Sequence, residues 1–200
     1  ALLASGIKLS DAIRALQNVR PIPGRMEKYA AADQPIVIVD YAHTPDALEK
    51  VLCTLREILR ATHQNKAVNS PSSRLHCVVG CGGDRDTGKR AMVGEVATRL
   101  ADAVIFTSDN PRTEDPLSII KDIAVGAGMS DYQIEVDRVL AIYQAIDNAQ
   151  PGDIEGPGGI QPGQHGRRVV GHEIRPNARA AGAGPPGAVE HVLVRQRHAG

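Results

Sequence analysis

The sequence predicts an α/β fold built on a doubly wound, mostly parallel sheet. Three observations carry that prediction. Apolar runs without alternation (Ile36 to Val39, Leu75 to Val79, Ala103 to Thr107) read as strands covered on both faces. Each ends in a polar turn and is followed by a stretch with helical spacing of its apolar residues. With no Trp, one Phe and four Tyr, the core must be assembled from Val, Ile, Leu and Ala, as buried parallel sheets often are.

Taken in order, Ala1 to Gly6 reads as the end of a helix, with Gly6 suited to the position after the C-cap. A chain that starts in mid-helix is expected to be part of something longer. Ser10 is expected to cap a short helix through Val19, with Ile13, Leu16 and Val19 on one face, before Pro21-Ile22-Pro23-Gly24 stops it. The strand at Ile36 ends in Asp40-Tyr41-Ala42-His43-Thr44-Pro45. Thr44 and Pro45 fit the N-cap and first position of a helix running to about Leu59, with Leu48, Val51, Leu52 and Leu55 as its buried stripe. Ala61 to Ser73 is polar and reads as a surface loop. After the strand at Leu75, residues Ala91 to Leu100 fall in a second helix. The strand at Ala103 ends in Ser108-Asp109-Asn110-Pro111-Arg112, and Pro116 opens a third helix to about Val125. Tyr132 to Val136 is a weaker strand, and Arg138 to Ala149 a fourth helix. In such sheets ligands bind beyond the carboxyl ends of the strands, where the turns at 40–45, 80–88 and 108–113 lie.

Beyond Pro151-Gly152 the composition changes. Residues 153–200 hold ten of the twenty Gly, five of the thirteen Pro and four of the seven His, with no Lys and no aromatic residue. Such a segment reads as disordered. The pattern calls for a further central strand after Asp153. Its loss, with the helix behind it, would uncover several hundred Å² of sheet at roughly 25 cal/mol per Å², so marginal folding is expected. A reading-frame slip would account for part of the tail: codons for Gly156-Pro157-Gly158-Gly159 read one base later permit Val-Leu-Val.

Twenty-three basic residues balance twenty-three acidic ones, so no global field draws nucleic acid or anionic lipid. No run of eighteen apolar residues predicts a membrane span, and no signal peptide is expected. Three cysteines (Cys53, Cys77, Cys81) give no disulfide framework and fit a reducing cytoplasm.

The glycine turn Gly80-Cys81-Gly82-Gly83-Asp84-Arg85-Asp86-Thr87-Gly88-Lys89-Arg90 matches neither phosphate pattern. From Gly83 it follows GxxxxGK, but Arg90 stands where a Ser or Thr would bind Mg²⁺, and Asp84 and Asp86 would face the phosphates. GxGxxG fails because Arg85 stands where its third glycine is needed. The turn instead offers Arg85, whose guanidinium suits a bidentate grip on a carboxylate, or a solvated charge with no ligand. Asp109-Asn110-Pro111-Arg112 is either a turn initiated by Asn-Pro or a zwitterion binder, with acid and amide for an ammonium and Arg112 for a carboxylate. His43 is structural or catalytic, and Asp40 beside it could meet a ribose.

In order, the stretches Gly24-Arg25-Met26-Glu27, Asp40 to Leu48, Gly80 to Asp86 and Asp109 to Pro116 resemble the Mur ligase family over about residues 1–154. The resemblance implies the Rossmann-like C-terminal domain of those enzymes over 25–153, truncated. It implies the end of the central ATPase domain and a linker over 1–24, and leaves 154–200 as an aberrant tail. It further implies an ATP- and Mg²⁺-dependent amide ligase of peptidoglycan synthesis, monomeric and cytoplasmic. In that reaction UDP-N-acetylmuramoyl-L-alanyl-D-glutamate is joined to meso-diaminopimelate. By that analogy Arg25, Asp40 and His43 lie at the ATP, while Arg85, Asp109, Asn110 and Arg112 hold the incoming amino acid. Asp-Asn-Pro-Arg is the family's form for diaminopimelate, whose second carboxylate demands Arg112. The P-loop, the Mg²⁺ ligands and the UDP-binding domain of the family have no counterpart here, and its Gly-Lys-Gly-His-Glu turn after the last strand is missing. Inactivity of the chain alone is therefore expected. A non-catalytic nucleotide- or amino-acid-binding module and a decayed gene product are the readings from other classes.

Overall fold

A computed structural model of the chain describes residues 3–19, 22–64 and 73–158. Six strands form one sheet in the order β1-β2-β6-β3-β4-β5. They are β1 (Glu27–Tyr29), β2 (Ile36–Val39), β3 (Leu75–Val79), β4 (Ala103–Phe106), β5 (Gln133–Ile134) and β6 (Ile154–Gly158). Every pairing is parallel except β1 on β2. The five α-helices are α1 (Leu9–Gln17), α2 (Pro45–Gln64), α3 (Gly88–Leu100), α4 (Pro116–Val125) and α5 (Arg138–Asn148). The expected mostly parallel α/β sheet is the one observed.

Alternation along the strands divides the core into two layers. Leu75, Cys77, Val79, Phe106 and Ile154 face a layer that includes Leu48, Leu52 and Leu55 of α2, Val93 and Val96 of α3 and Ile120 and Ile123 of α4. Val37, Val39, Val78 and Ile105 point the other way, onto Ala141, Ile142 and Ala145 of α5. Helix starts follow the capping chemistry legible in the sequence. Thr44 Oγ1 accepts from Ala47 N ahead of Pro45. Asp115 accepts from Ser118 N ahead of Pro116, and Asp137 caps α5 through the amides of Val139 and Leu140. Gly6 has φ +77°, the left-handed conformation expected of it.

Four expectations are corrected. The short helix starts at Leu9 with Lys8 as N-cap, not at Ser10. It buries Ala12, while Ile13, Leu16 and Val19 are exposed. The strand β1 was not foreseen: its three residues carry no apolar run, and main-chain pairing with β2 holds it. The loop expected over 61–73 is helical to Gln64, and its middle, 65–72, lies outside the described residues. The fourth concerns the central strand that residues beyond 153 were not expected to supply. Ile154–Gly158 forms it, paired on one side with β2 and on the other with β3. Two flanking strands offer unpaired N–H and C=O groups, and satisfying them outweighs the poor strand propensity of Gly and Pro there. The remainder of the tail, 159–200, and Pro21 of the helix stop lie outside the described residues.

Insertion of β6 places Glu155 opposite His76 of β3 with no exposed surface, and neither of its carboxylate oxygens has a hydrogen-bond partner among the described residues. Burial pushes its carboxyl from the usual 4.5 up to about 8, against the opposing charge of Arg138. At the amino ends of the strands, Asp102 binds Arg56 bidentately at 2.7 Å and accepts from Leu75 N. Asp153 accepts from Arg74 N and lies 3.2 Å from His76 Nε2. These contacts tie the strands together at the edge opposite the candidate site.

Candidate functional site

Three turns converge at the carboxyl edge of the sheet. The first follows β2. Asp40 is buried, and its two oxygens accept from Met26 N at 2.9 Å and Ala42 N at 2.8 Å. Its carboxylate therefore ties the 24–27 loop to the end of β2, an arrangement the sequence did not suggest when it offered Asp40 to a ribose. The tie brings Arg25 over the ring of Tyr41, 5.0 Å from its centroid, and Tyr41 lies 5.0 Å from the ring of His43. His43 is exposed and its Nδ1 sits 3.1 Å from the Tyr41 carbonyl. Arg25, Tyr41 and His43 thus gather a cation and two rings on this turn, the rings tilted 54° to each other. Tyr41 was not singled out in the sequence, although an aromatic residue between two candidate ligand groups is a readable signal in a chain with four Tyr.

The second and third turns, after β3 and β4, are in backbone contact. A Cβ at Gly80 would overlap the Thr107 carbonyl, and one at Gly83 would overlap the carbonyl of Pro111. Gly83 N donates to Asn110 O at 2.9 Å. Glycine is thus required in this turn so that it can lie on the Asp109-Asn110-Pro111-Arg112 turn. The Arg85 stem crosses Gly82, which also faces Asn110 O, so the two predicted halves of an amino-acid clamp share one edge. Arg85, Asn110 and Arg112 are exposed. Asp109 is half-buried, and burial pushes its carboxyl above the usual range while Arg138 and His43 pull it back. Arg138, which the sequence offered only as the start of a helix, donates to Ser108 O at 3.1 Å from the first turn of α5.

The resemblance to a phosphate loop also resolves structurally. Asp86 Oδ1 accepts from Gly88 N at 3.1 Å, and Lys89 pairs with Asp86 at 3.3 Å. The N-terminus of α3 is therefore occupied by the chain's own acid, and a phosphate there would meet like charge. Arg90 turns inward from α3: it is 2 % exposed and binds Glu114 at 2.7 Å and Asp122 at 2.9 Å. The arginine that breaks the phosphate pattern is a structural cation. Among the described residues no three His, Cys, Asp or Glu side chains are gathered as a metal ion would require. None of the described helices is long and apolar enough to cross a membrane.

The family described as "Mur ligase, glutamate ligase domain" matches residues 24–154. A UDP-N-acetylmuramoyl-L-alanyl-D-glutamate–2,6-diaminopimelate ligase from Nitrosomonas europaea is 58% identical over 154 residues, covering 77% of this chain and 30% of the relative. The enzyme of the same name from Chromobacterium violaceum is 46% identical over 153 residues. A solved structure of a ligase of that name superposes with a TM-score of 0.56 at 38% identity, over 78% of this chain and 30% of the other. A folylpolyglutamate synthase/dihydrofolate synthase from Yersinia pestis shares the fold, with a TM-score of 0.56 at 22% identity. The chain thus spans about 30% of the length of the relatives it matches. With the family match running from the 24–27 loop to β6 and the converging turns lying within it, this chain belongs to the Mur ligase family through its glutamate ligase domain.

Proposed function

We propose that this chain is the amino-acid-selecting domain of a ligase that adds meso-diaminopimelate to UDP-N-acetylmuramoyl-L-alanyl-D-glutamate. The observation that carries the reading is the packing of the glycine turn on the Asp-Asn-Pro-Arg turn. It sets Arg85 and Arg112 on one exposed edge with Asp109 and Asn110 beside them, a layout suited to a ligand with two carboxylates and an ammonium. Arg25, Tyr41 and His43 form the face that would close over ATP. Asp40 serves it by holding Arg25 in place. The γ-phosphate and Mg²⁺ would be held by the rest of the ligase, since the one phosphate-like loop here is occupied by Asp86. The chain alone is then a binding domain without turnover.

Calorimetry with meso-diaminopimelate and with L-lysine tests this. The wild-type chain should bind the first more tightly. Arg112→Ala should weaken diaminopimelate binding roughly 10- to 100-fold, the loss of one charge-assisted pair, and leave lysine nearly unchanged. Equal losses for both ligands would remove Arg112 from specificity, and amide formation by the isolated chain would contradict the missing catalytic parts.

A further inference from the structure

We propose that Arg90 is a positioning residue of the amino-acid clamp, holding the backbones that carry Arg85 and Arg112 in register with each other. The inference rests on the binding reading above and adds to it a residue that touches no ligand.

The argument begins with two backbone conformations. Asp84 has φ +51° and Arg112 φ +53°. Asp visits the left-handed region readily, but for a long side chain such as Arg it is strained and persists only where the surroundings impose it. Asp84 precedes Arg85, and Arg112 is itself a clamp residue, so both left-handed positions sit at the clamp. Asp84 is tied to the residue that follows Arg112: its Oδ1 accepts from Thr113 Oγ1 at 2.7 Å, and its Oδ2 accepts from Thr113 N at 3.4 Å. The Asp84 amide in turn donates to Glu114 Oε1.

Glu114 has to be anchored for this chain of contacts to impose anything, and Arg90 anchors it. The same Oε1 accepts from Arg90 Nη2 at 2.7 Å, while Arg90 Nη1 binds Asp122 of α4 at 2.9 Å. Behind Arg90, α3 and α4 form a rigid pair. A Cβ at Gly94 would overlap the Ile123 carbonyl, and one at Gly126 the Ala91 carbonyl, so the two backbones touch in the turn of α3 that follows the arginine. The planar fork of Arg90 thus transfers the fixed geometry of a helix pair to Glu114, and through it to Asp84, Thr113 and the residues between. Lysine offers one point charge and cannot hold both carboxylates in that geometry. The neighbouring Glu114 carboxyl is held below the usual range, first by the Arg90 guanidinium and then by the Asp84 amide.

The experiment uses the full chain and the variants Arg90→Lys and Glu114→Gln, with two readouts. Amide hydrogen exchange is expected to quicken about tenfold or more at Asp84 and Thr113, with Val79 and Phe106 in the sheet unchanged. The preference for meso-diaminopimelate over L-lysine is expected to fall about tenfold, because only the second carboxylate needs both arginines in register. Unchanged exchange at Asp84 and Thr113, or a rise spread evenly over the sheet, would overturn the proposal and leave Arg90 as a stabilising residue only. Should Arg90→Lys fail to fold, Glu114→Gln, at a half-buried position, carries the same two readouts. A wild-type chain that binds neither amino acid would defeat the binding reading. The exchange data would then still decide whether Arg90 holds the two turns.

Discussion

Replacing Glu155 with valine should convert an unpartnered carboxyl in the middle of the sheet into an apolar contact among Val37, Val78 and α5. In the folded chain the carboxyl is pushed up to about 8, from the usual 4.5, first by burial and against the pull of Arg138. The folded state keeps a proton that the unfolded state has released across that window. Stability is therefore greatest below pH 4.5, falls as pH rises, and levels off above about 8. Each pH step within the window removes about 1.4 kcal/mol, so at pH 7.5 the accumulated loss is about 4 kcal/mol. That is a large part of the 5–15 kcal/mol that holds an ordinary domain together. Urea unfolding at pH 5.5 and 7.5 measures it. The wild type should lose about 2.5 kcal/mol between the two, and Glu155→Val should lose little. At pH 7.5 the variant should be the more stable by about 4 kcal/mol, a midpoint shift above 1 M urea at typical slopes. Parallel pH profiles, or a variant no more stable than the wild type, would refute the reasoning about this carboxyl.

Two further outcomes follow from the same structure. Gly83→Ala should cost about 1–3 kcal/mol in thermal or urea unfolding, because its methyl would overlap the Pro111 carbonyl. It should also impair diaminopimelate binding, and unimpaired binding would separate the two turns functionally. Under native conditions iodoacetamide should label Cys53, which is exposed, well before the other two thiols. Burial pushes Cys77 up to about 12 and Cys81 up to about 11, so buried Cys77 should react only on unfolding and half-buried Cys81 more slowly than Cys53, as counted by intact mass. Cys81 labelled as fast as Cys53 would contradict the raised thiol.

Much of this molecule was readable because its local signals agree with one another. The run Ile36 to Val39, the Thr44-Pro45 start and the Asp115-Pro116 start each state one answer, and the structure contains each of them. That the glycine turn and the Asp109 to Arg112 turn share one edge of the sheet was readable because both follow strands. What escaped was what only tertiary pairing decides. Glu27 to Tyr29 becomes a strand because β2 lies beside it, and Ile154–Gly158 because it fills the place between two strands. Arg90 in Gly88-Lys89-Arg90-Ala91 reads as a surface charge, and only the approach of α4 with Asp122 makes it buried. Asp40 reads as a ligand group, yet its partners are an amide two residues on and another fourteen residues back.

The strand order has a consequence for the time course of folding. The strand β2 pairs with β1 and β6, and β3 with β6 and β4, so no main-chain ladder joins the two halves of the sheet until β6 is in place. As the polypeptide leaves the ribosome, a two-stranded ribbon and a three-stranded half-sheet come out in turn, with α2 packed across them. The keystone strand is the last of the six to emerge, and its partners lie over a hundred and about eighty residues earlier. Closure over such separations carries the loop entropy that slows folding. Until then two sheet edges stand open to pairing with another chain, and the hazard ends with the arrival of five residues.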